Sequence, residues 1–154
     1  EAYKYIYEIL CKNIDLNKCN IKAFNCILGN TTSKKVFLSK SKLKKNSTYG
    51  SNEIILEKYE GNSDAVEAIQ IDDLNIIDEV SFMKIDVQGY DLKVLEGAKR
   101  TILKNKMPII IEYSRQYEKN FNYKFDDFQK ILKTINYKID HKIDDENYLI
   151  ISET

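Results

Sequence analysis

The chain has 154 residues, which is enough for one domain with a buried core. Lysine plus arginine and aspartate plus glutamate each count 24, so the formal net charge is zero and no overall field draws the protein to nucleic acid or to an anionic membrane. The three cysteines form no C-x-x-C pair and the chain has a single histidine, a composition that argues against a zinc site.

The first thirty residues predict a helix and then a strand. Apolar residues recur at intervals of three and four from residue 2 to residue 13, which is typical of a helix, and an asparagine-rich stretch then stops it. Residues 21–28 alternate apolar and polar side chains up to Gly29, and this alternation predicts a strand.

The segment that follows predicts loops and short strands. The lysine-rich residues 40–52 predict a mobile loop with a solvated surface. Asp72 and Asp73 resemble a metal or acid/base dyad, but because no further ligands lie nearby we interpret the pair as a strand-to-helix cap. The predicted strands are residues 36–38, 53–59 and 66–71, with a turn at 61–64 between the last two.

Residues 80–114 predict a β-α-β unit. The apolar run 80–87 breaks at Gly89, and a second run, 109–111, ends on Glu112. Short β-rich runs of this kind are typical of parallel strands that are covered on both faces. Apolar residues between the runs recur at helical spacing, so we expect a helix and a right-handed crossover.

Polar side chains lie where both of these strands end. In open parallel sheets, ligands bind outside the carboxyl ends of the strands. This rule places Asp86, Gln88 and Glu112 at the edge where a functional site is expected.

The C-terminal part predicts a polar, aromatic loop at 114–124, an amphipathic helix at 125–135 and an antiparallel hairpin. Asn136 is expected in a left-handed conformation after the helix. His141, in the hairpin, is interpreted as exposed. Three tyrosines, Tyr113, Tyr117 and Tyr123, form either a wall on which a sugar stacks or a half-buried lid.

Three blocks in this order resemble the core signature of the FkbM-type methyltransferases. Residues 84–89, 94–98 and 108–112 resemble K-I-D-V-E-G, V-L-x-G-A and P-x-I-x-x-E of that family. Upstream, residues 69–74 resemble its T-L-D-D-L block. Glu1 with Leu10, Asn13 and Asn17 resembles its F-E-P and L-x-x-N segment, so the resemblance spans nearly the whole chain.

The resemblance implies an α/β fold: a Rossmann-like class I methyltransferase sheet, mostly parallel, with a C-terminal antiparallel hairpin. Residues 1–154 would form a single methyltransferase-like domain. Such a fold begins with a strand, a glycine-rich turn and a helix, yet the five glycines of this chain include no G-x-G. We therefore expect an N-terminally truncated domain that lacks the first strand, its loop and helix and most of the second strand, and that binds its cofactor weakly alone.

The implied activity is S-adenosylmethionine-dependent O-methylation of a sugar or polyol hydroxyl. Asp86 would be the base, or else a cap of the following turn or helix. Gln88 stands where the family has Glu, so it retains hydrogen bonding but loses the charge. Glu112 would bind acceptor hydroxyls or orient Asp86, or else pair with Lys106 or Arg115.

The resemblance also implies residues that bind the cofactor. Glu1 would accept hydrogen bonds from the ribose diol, unless the chain start is frayed. Asn25 and Cys26 would lie near the adenine, or else pack in the core. No metal ligands are expected.

Two rival functions stay open on the sequence. One is a catalytically degenerate methyltransferase fold with a structural or interaction role, and the other is a nucleotide-binding α/β domain with different chemistry. The expected partner is a small-molecule or glycan acceptor, with no nucleic acid and no membrane, and the oligomeric state is left open. The odd number of cysteines indicates a reducing compartment, so we expect a cytoplasmic protein.

Overall fold

The computed structural model describes residues 1–32, 34–39, 54–55 and 63–153, and it describes no side chain from residue 33 to residue 65. The chain forms two compact units. The first unit contains Glu1–Ile27 and Ser33–Ala68, and the second contains Leu28–Thr32 and Ile69–Thr154. The loop expected at 40–52 lies outside the described residues, as does most of the strand expected at 53–59.

In the first unit, helix α1 (Lys4–Leu16) confirms the predicted N-terminal helix but lies further along the chain. Its end is fixed by Asn17, whose backbone N–H and side-chain amide both donate to the carbonyl of Asn13, at 3.1 and 2.8 Å. These bonds satisfy a carbonyl that has no partner inside the helix. The asparagine that was expected to break the helix therefore closes its last turn.

Over the described residues, the first sheet contains four strands, with β2 paired antiparallel to both β3 and β4. The prediction of a strand at 21–28 is wrong for most of that range, because only its last two residues are in a strand. The preceding residues bond to the start of the chain instead: the amino group of Glu1 donates to the carbonyl of Phe24 at 3.1 Å. The strands are β1 (Ile27–Leu28), β2 (Lys34–Ser39), β3 (Ile54–Ile55) and β4 (Ser63–Ile69), in the order β1-β4-β2-β3.

The second sheet has the order β5-β6-β8-β7 and confirms the predicted α/β class. Strands β5 and β6 are parallel, as the β-α-β pattern predicts, while β8 is antiparallel to β6 and to β7. The C-terminal hairpin is therefore confirmed. The strands are β5 (Met83–Ile85), β6 (Ile109–Glu112), β7 (Tyr137–Lys142) and β8 (Asn147–Ser152).

The helix predicted between β5 and β6 is two helices, α2 (Asp91–Gly97) and α3 (Lys99–Asn105), which divide at Ala98. The carboxylate of Asp72 accepts hydrogen bonds from the backbone N–H groups of Arg100 and Thr101, both at 2.8 Å, and so starts the second helix. The predicted strand-to-helix cap is thus a cap supplied from a distant part of the sequence.

Beyond β6, the segment expected as a loop contains a 3-10 turn, Arg115–Tyr117, and a short helix, α4 (Glu118–Phe121). Helix α5 (Phe125–Thr134) confirms the predicted amphipathic helix. Asn136 follows it with a φ of 56°, the left-handed conformation that its position predicts.

The core of the second unit lies between its sheet and its helices. Phe128 of α5 stacks on Tyr113, with ring centroids 5.5 Å apart and an interplanar angle of 12°. The largest fully buried side chains are Phe128, Leu95, Ile102, Ile109, Ile111, Ile135, Ile150 and Val94. None of the helices in the described part of the chain combines the length and the apolar content that a membrane span requires.

Candidate active site at the carboxyl edge of the second sheet

The parallel pair β5–β6 brings two acidic residues to one edge of the second sheet, which we call the carboxyl edge. Ile85 lies opposite Ile111, and both side chains are buried in the core. Asp86 and Glu112 are the next residues along each strand. Successive side chains of a strand alternate between the two faces of the sheet, so both carboxyls lie on the face opposite to Ile85 and Ile111.

Asp86 is exposed and accepts hydrogen bonds from two neighbouring side chains. Its Oδ2 accepts a hydrogen bond from Lys84 Nζ at 2.7 Å, and its Oδ1 accepts one from Gln88 Nε2 at 3.2 Å. The hydrogen bond to Asp86 raises the pKa of Lys84. The alternative role for Asp86, a cap of the turn that follows, is not what the structure shows, because Asp91 bonds to that turn.

Gln88 connects Asp86 to the aromatic segment after β6. Its Oε1 accepts a hydrogen bond from the hydroxyl of Tyr117 at 2.8 Å, while its amide nitrogen donates to Asp86. A glutamate at this position would have no proton to donate to Asp86 at neutral pH. The amide therefore suits the hydrogen-bond network in which it lies.

Glu112 has the most perturbed carboxyl at this edge. Burial, and then the negative charges of Asp86, Asp91 and Glu146, raise its pKa to about 7, and Lys84 acts in the opposite direction. Its Oε2 is buried with no hydrogen-bond partner among the described residues. Among the described residues, Glu112 forms no ion pair with Lys106 or Arg115, the alternative partners expected from the sequence.

Asp91 is a site residue that sequence reasoning missed. Its side chain is 3% exposed, and its carboxylate accepts hydrogen bonds from the backbone N–H groups of Val87 and Gly89, each at 3.0 Å. Burial raises its pKa to about 6 against the effect of these bonds. The available signal was an acidic residue two positions after a turn glycine, a spacing that allows a side chain to bond back to the turn.

The three tyrosines do not act as one surface. Tyr113 and Tyr117 are buried, and the hydroxyl of Tyr113 donates to Glu118 Oε1 at 2.8 Å. Tyr123 is half-buried, and its ring stacks on Phe121 with centroids 6.4 Å apart. Of the three, only Tyr123 has the partial exposure that a stacking wall or a lid needs.

The residues expected at the cofactor lie in the first unit. The amide of Asn25 donates to the carbonyls of Glu1 and Ala2, both at 3.0 Å, so the start of the chain is tied down and Asn25 is not a core residue. The carboxylate of Glu1 is exposed and accepts one bond, from the backbone N–H of Tyr3 at 2.8 Å. Cys26 is partly buried, and burial raises the pKa of its thiol.

Two other residues singled out from the sequence, Asp73 and His141, contact neighbouring polar side chains. Asp73 accepts a hydrogen bond from the hydroxyl of Thr32. His141 is exposed, with its Nδ1 2.8 Å from Asp140 Oδ2. Over the described ranges, no group of three or more histidine, cysteine, aspartate or glutamate side chains is arranged to hold a metal ion.

This chain is similar to a known protein family and to a solved structure. The family model described as the methyltransferase FkbM domain matches residues 1–141. A solved structure of methyltransferase FkbM from Methylobacillus flagellatus KT is similar, with a TM-score of 0.59 and 20% sequence identity. The similarity covers 97% of this chain and 34% of that one, so this chain spans about a third of that protein. No curated protein matches this chain.

Proposed function

The chain belongs to the FkbM methyltransferase family, and from that premise we propose that it contributes to S-adenosylmethionine-dependent O-methylation of a sugar or polyol hydroxyl. The observation that carries the proposal is the Glu112 carboxyl, which lies at the carboxyl edge with a pKa raised to about 7 and a buried oxygen that has no hydrogen-bond partner in the described part of the chain. Both features suit a group that takes a proton from a bound hydroxyl.

A hydroxyl attacks a methyl group effectively only if a base removes its proton during the transfer. A base with a pKa near the working pH is available in its charged form and still binds a proton well. Glu112 meets this requirement at neutral pH. We therefore assign the base to Glu112, and we assign to Asp86 the tasks of raising the Glu112 pKa and accepting a hydrogen bond from the acceptor.

This assignment reverses the roles that the family resemblance suggested for the two carboxyls. Asp86 Oδ2 already accepts a hydrogen bond from Lys84 at 2.7 Å, whereas Glu112 Oε2 has no hydrogen-bond partner among the described residues. Gln88 keeps Asp86 oriented through its amide, as the 3.2 Å contact supports. The chemistry at this edge thus needs no charge at position 88.

S-adenosylmethionine would supply the methyl group as a cationic sulfonium. The exposed carboxylate of Glu1 has the chemistry to accept hydrogen bonds from a ribose diol, and Asn25 and Cys26 are the proposed neighbours of the adenine. Asn25 already bonds to the backbone at residues 1 and 2, so its contribution would be to hold Glu1 in place.

The test is a methyl-transfer assay on the natural protein that contains this chain, with S-adenosylmethionine labelled in its methyl group and a panel of sugars, amino sugars and polyols. Glu112→Gln keeps the shape of the side chain but cannot accept the proton, so we expect its kcat to fall by about 10²- to 10⁴-fold. The exposed carboxyl of Glu79 provides the control, and Glu79→Gln should retain wild-type activity. Unchanged transfer by a folded Glu112→Gln variant would remove Glu112 as the base.

A second candidate function is a catalytically degenerate module with a structural or interaction role. The observation that favours it is Gln88, which replaces the family's glutamate and is engaged in two hydrogen bonds within the fold. This function predicts that the same natural protein neither binds S-adenosylmethionine in calorimetry nor transfers a methyl group to any member of the panel. Labelled product from any acceptor would contradict it.

A further inference from the structure

The turn between β5 and α2 depends on a buried side chain. Neither the sheet nor the helix supplies an acceptor for the backbone N–H groups of Val87 and Gly89, and the two oxygens of Asp91 accept one each, at 3.0 Å. Asp91 is 3% exposed, so water does not replace these bonds. A buried carboxylate that is bonded in this way fixes the direction of both N–H groups.

The backbone of this turn has an uncommon conformation. Gln88 has a φ of 54° and Gly89 a φ of 93°, so two successive residues are left-handed. A residue with a side chain seldom adopts such a φ unless the surrounding structure holds it there. The turn bears the side chains of Asp86 and Gln88, and its conformation therefore decides where both point.

We propose that Asp91 is a positioning residue of the site: by binding the N–H groups of Val87 and Gly89 it holds Asp86 and Gln88 in place at the carboxyl edge. Its importance for catalysis rests on the proposed function, whereas its hold on the turn does not. Asp91 touches no reacting atom in this scheme, and it acts through the turn and through its charge.

The charge of Asp91 adds a second effect on the same site. It is one of the negative charges that raise the pKa of Glu112, so it makes Glu112 a stronger base. Among the described residues, titratable groups that interact with Asp91 come from several elements and include a lysine. They are Lys84 of β5, Asp86 after it, Glu112 of β6 and Tyr123 before α5.

The hold on the turn is tested by NMR of the wild-type chain and of Asp91→Asn. In the wild type, the amide protons of Val87 and Gly89 should shift together with a midpoint of about 6, the pKa of Asp91. In Asp91→Asn this shared titration should disappear, and hydrogen exchange at both amides should accelerate by about tenfold or more. Asp126→Asn removes an exposed acid from the first turn of α5 and is the matched control that should leave both amides unchanged.

Two results would overturn the hold on the turn. One is the absence of a shared titration at the two amides in the wild type, a result that does not require any variant to fold. The other is an Asp91→Asn spectrum in which both amides keep their wild-type shifts and exchange rates.

The effect on catalysis is tested in the natural protein that contains the chain. We expect Asp91→Asn to lower kcat by about 10- to 100-fold with little change in the KM for S-adenosylmethionine, and to move the acid limb of the kcat/KM profile to lower pH. A normal kcat with an unmoved acid limb would overturn the positioning role. A wild-type protein without methyl transfer would remove the proposed function, and the amide measurement would still decide whether Asp91 holds the turn.

Discussion

Two neighbouring carboxyls acquire different properties at the residue scale. Asp86 has Lys84 and Gln88 as donors, at 2.7 and 3.2 Å, whereas one oxygen of Glu112 has none among the described residues. The sequence places both carboxyls at strand ends, and the parallel register confirms that the two strands end together. Which one holds a proton near neutral pH depends on burial and on charges from distant residues such as Glu146, and no sequence pattern contains that information.

Both the backbone conformation and the close neighbours of residue 89 require glycine at this position. Its φ is 93°, and a Cβ atom there would lie 2.6 Å from ring atoms of Phe121 and Tyr117. We expect Gly89→Ala to lower the free energy of unfolding by about 2 to 4 kcal/mol, the sum of backbone strain and overpacking. Urea denaturation followed by circular dichroism measures the loss.

Asn122→Ala is the matched control for this substitution. Asn122 is exposed with a φ of 50°, so the variant reports the cost of a left-handed backbone without crowding. Its loss should be about 1 kcal/mol or less. Equal losses in the two variants would contradict the role given to the aromatic rings.

At the scale of elements, local patterns predicted the second unit better than the first. β5, β6, α5 and the hairpin follow apolar periodicities that the core of the second unit uses, and all four are confirmed. Residues 21–25 have an alternating pattern as well, but they are not in a strand, and Phe24 and Asn25 bond to the start of the chain. The division of the helix at Ala98 also escaped prediction, because the carboxylate that caps the second helix lies 28 positions before Arg100 in the chain.

The cap of helix α3 gives a prediction at this scale. Asp72 accepts hydrogen bonds from two backbone N–H groups and from the hydroxyl of Thr101, at 2.8 to 2.9 Å. We expect Asp72→Ala to lower the free energy of unfolding by about 1 to 2 kcal/mol, the usual cost of losing a helix cap. Asp78→Ala removes an exposed aspartate nearby and should change it by less than about 0.5 kcal/mol. Chemical denaturation measures both, and equal stability of the two variants would show that the cap is unimportant.

At the scale of the whole molecule, the family could be identified from the sequence because three motif blocks occur in the right order, and the family model confirms it over residues 1–141. Cofactor binding by residues of the first unit stays a prediction. Glu1, Asn25 and Cys26 were assigned by analogy alone, and their local bonds show only how the start of the chain is held. The similar FkbM structure shares the fold over 97% of this chain.

Two carboxyls with raised pKa values make stability depend on pH. Asp91 and Glu112 have pKa values raised to about 6 and about 7, so between about pH 4 and pH 7 the folded chain binds more protons than the unfolded chain. Stability should therefore fall as the pH rises through this window and level off above it. Asp127 and Asp144 have lowered pKa values, and their contribution is lost only in more acidic solution.

Urea denaturation from pH 4 to pH 9 measures this dependence. The double variant Asp91→Asn/Glu112→Gln should lose most of the decline between about pH 5 and pH 7, because neither amide titrates. Wild-type stability that stays constant or rises over this interval would contradict the raised pKa values.

The proposed base chemistry requires that the carboxyl edge gives Glu112 a pKa near neutrality with the help of Asp86. The most direct measurement is a ¹³C NMR titration of the Glu112 side-chain carboxyl in the wild type and in Asp86→Asn. We expect a midpoint of about 7 in the wild type and a lower midpoint in the variant, because a negative charge has been removed. A wild-type midpoint at the ordinary glutamate value of 4.5, or one that Asp86→Asn leaves unchanged, would contradict the assignment of Glu112 as the base.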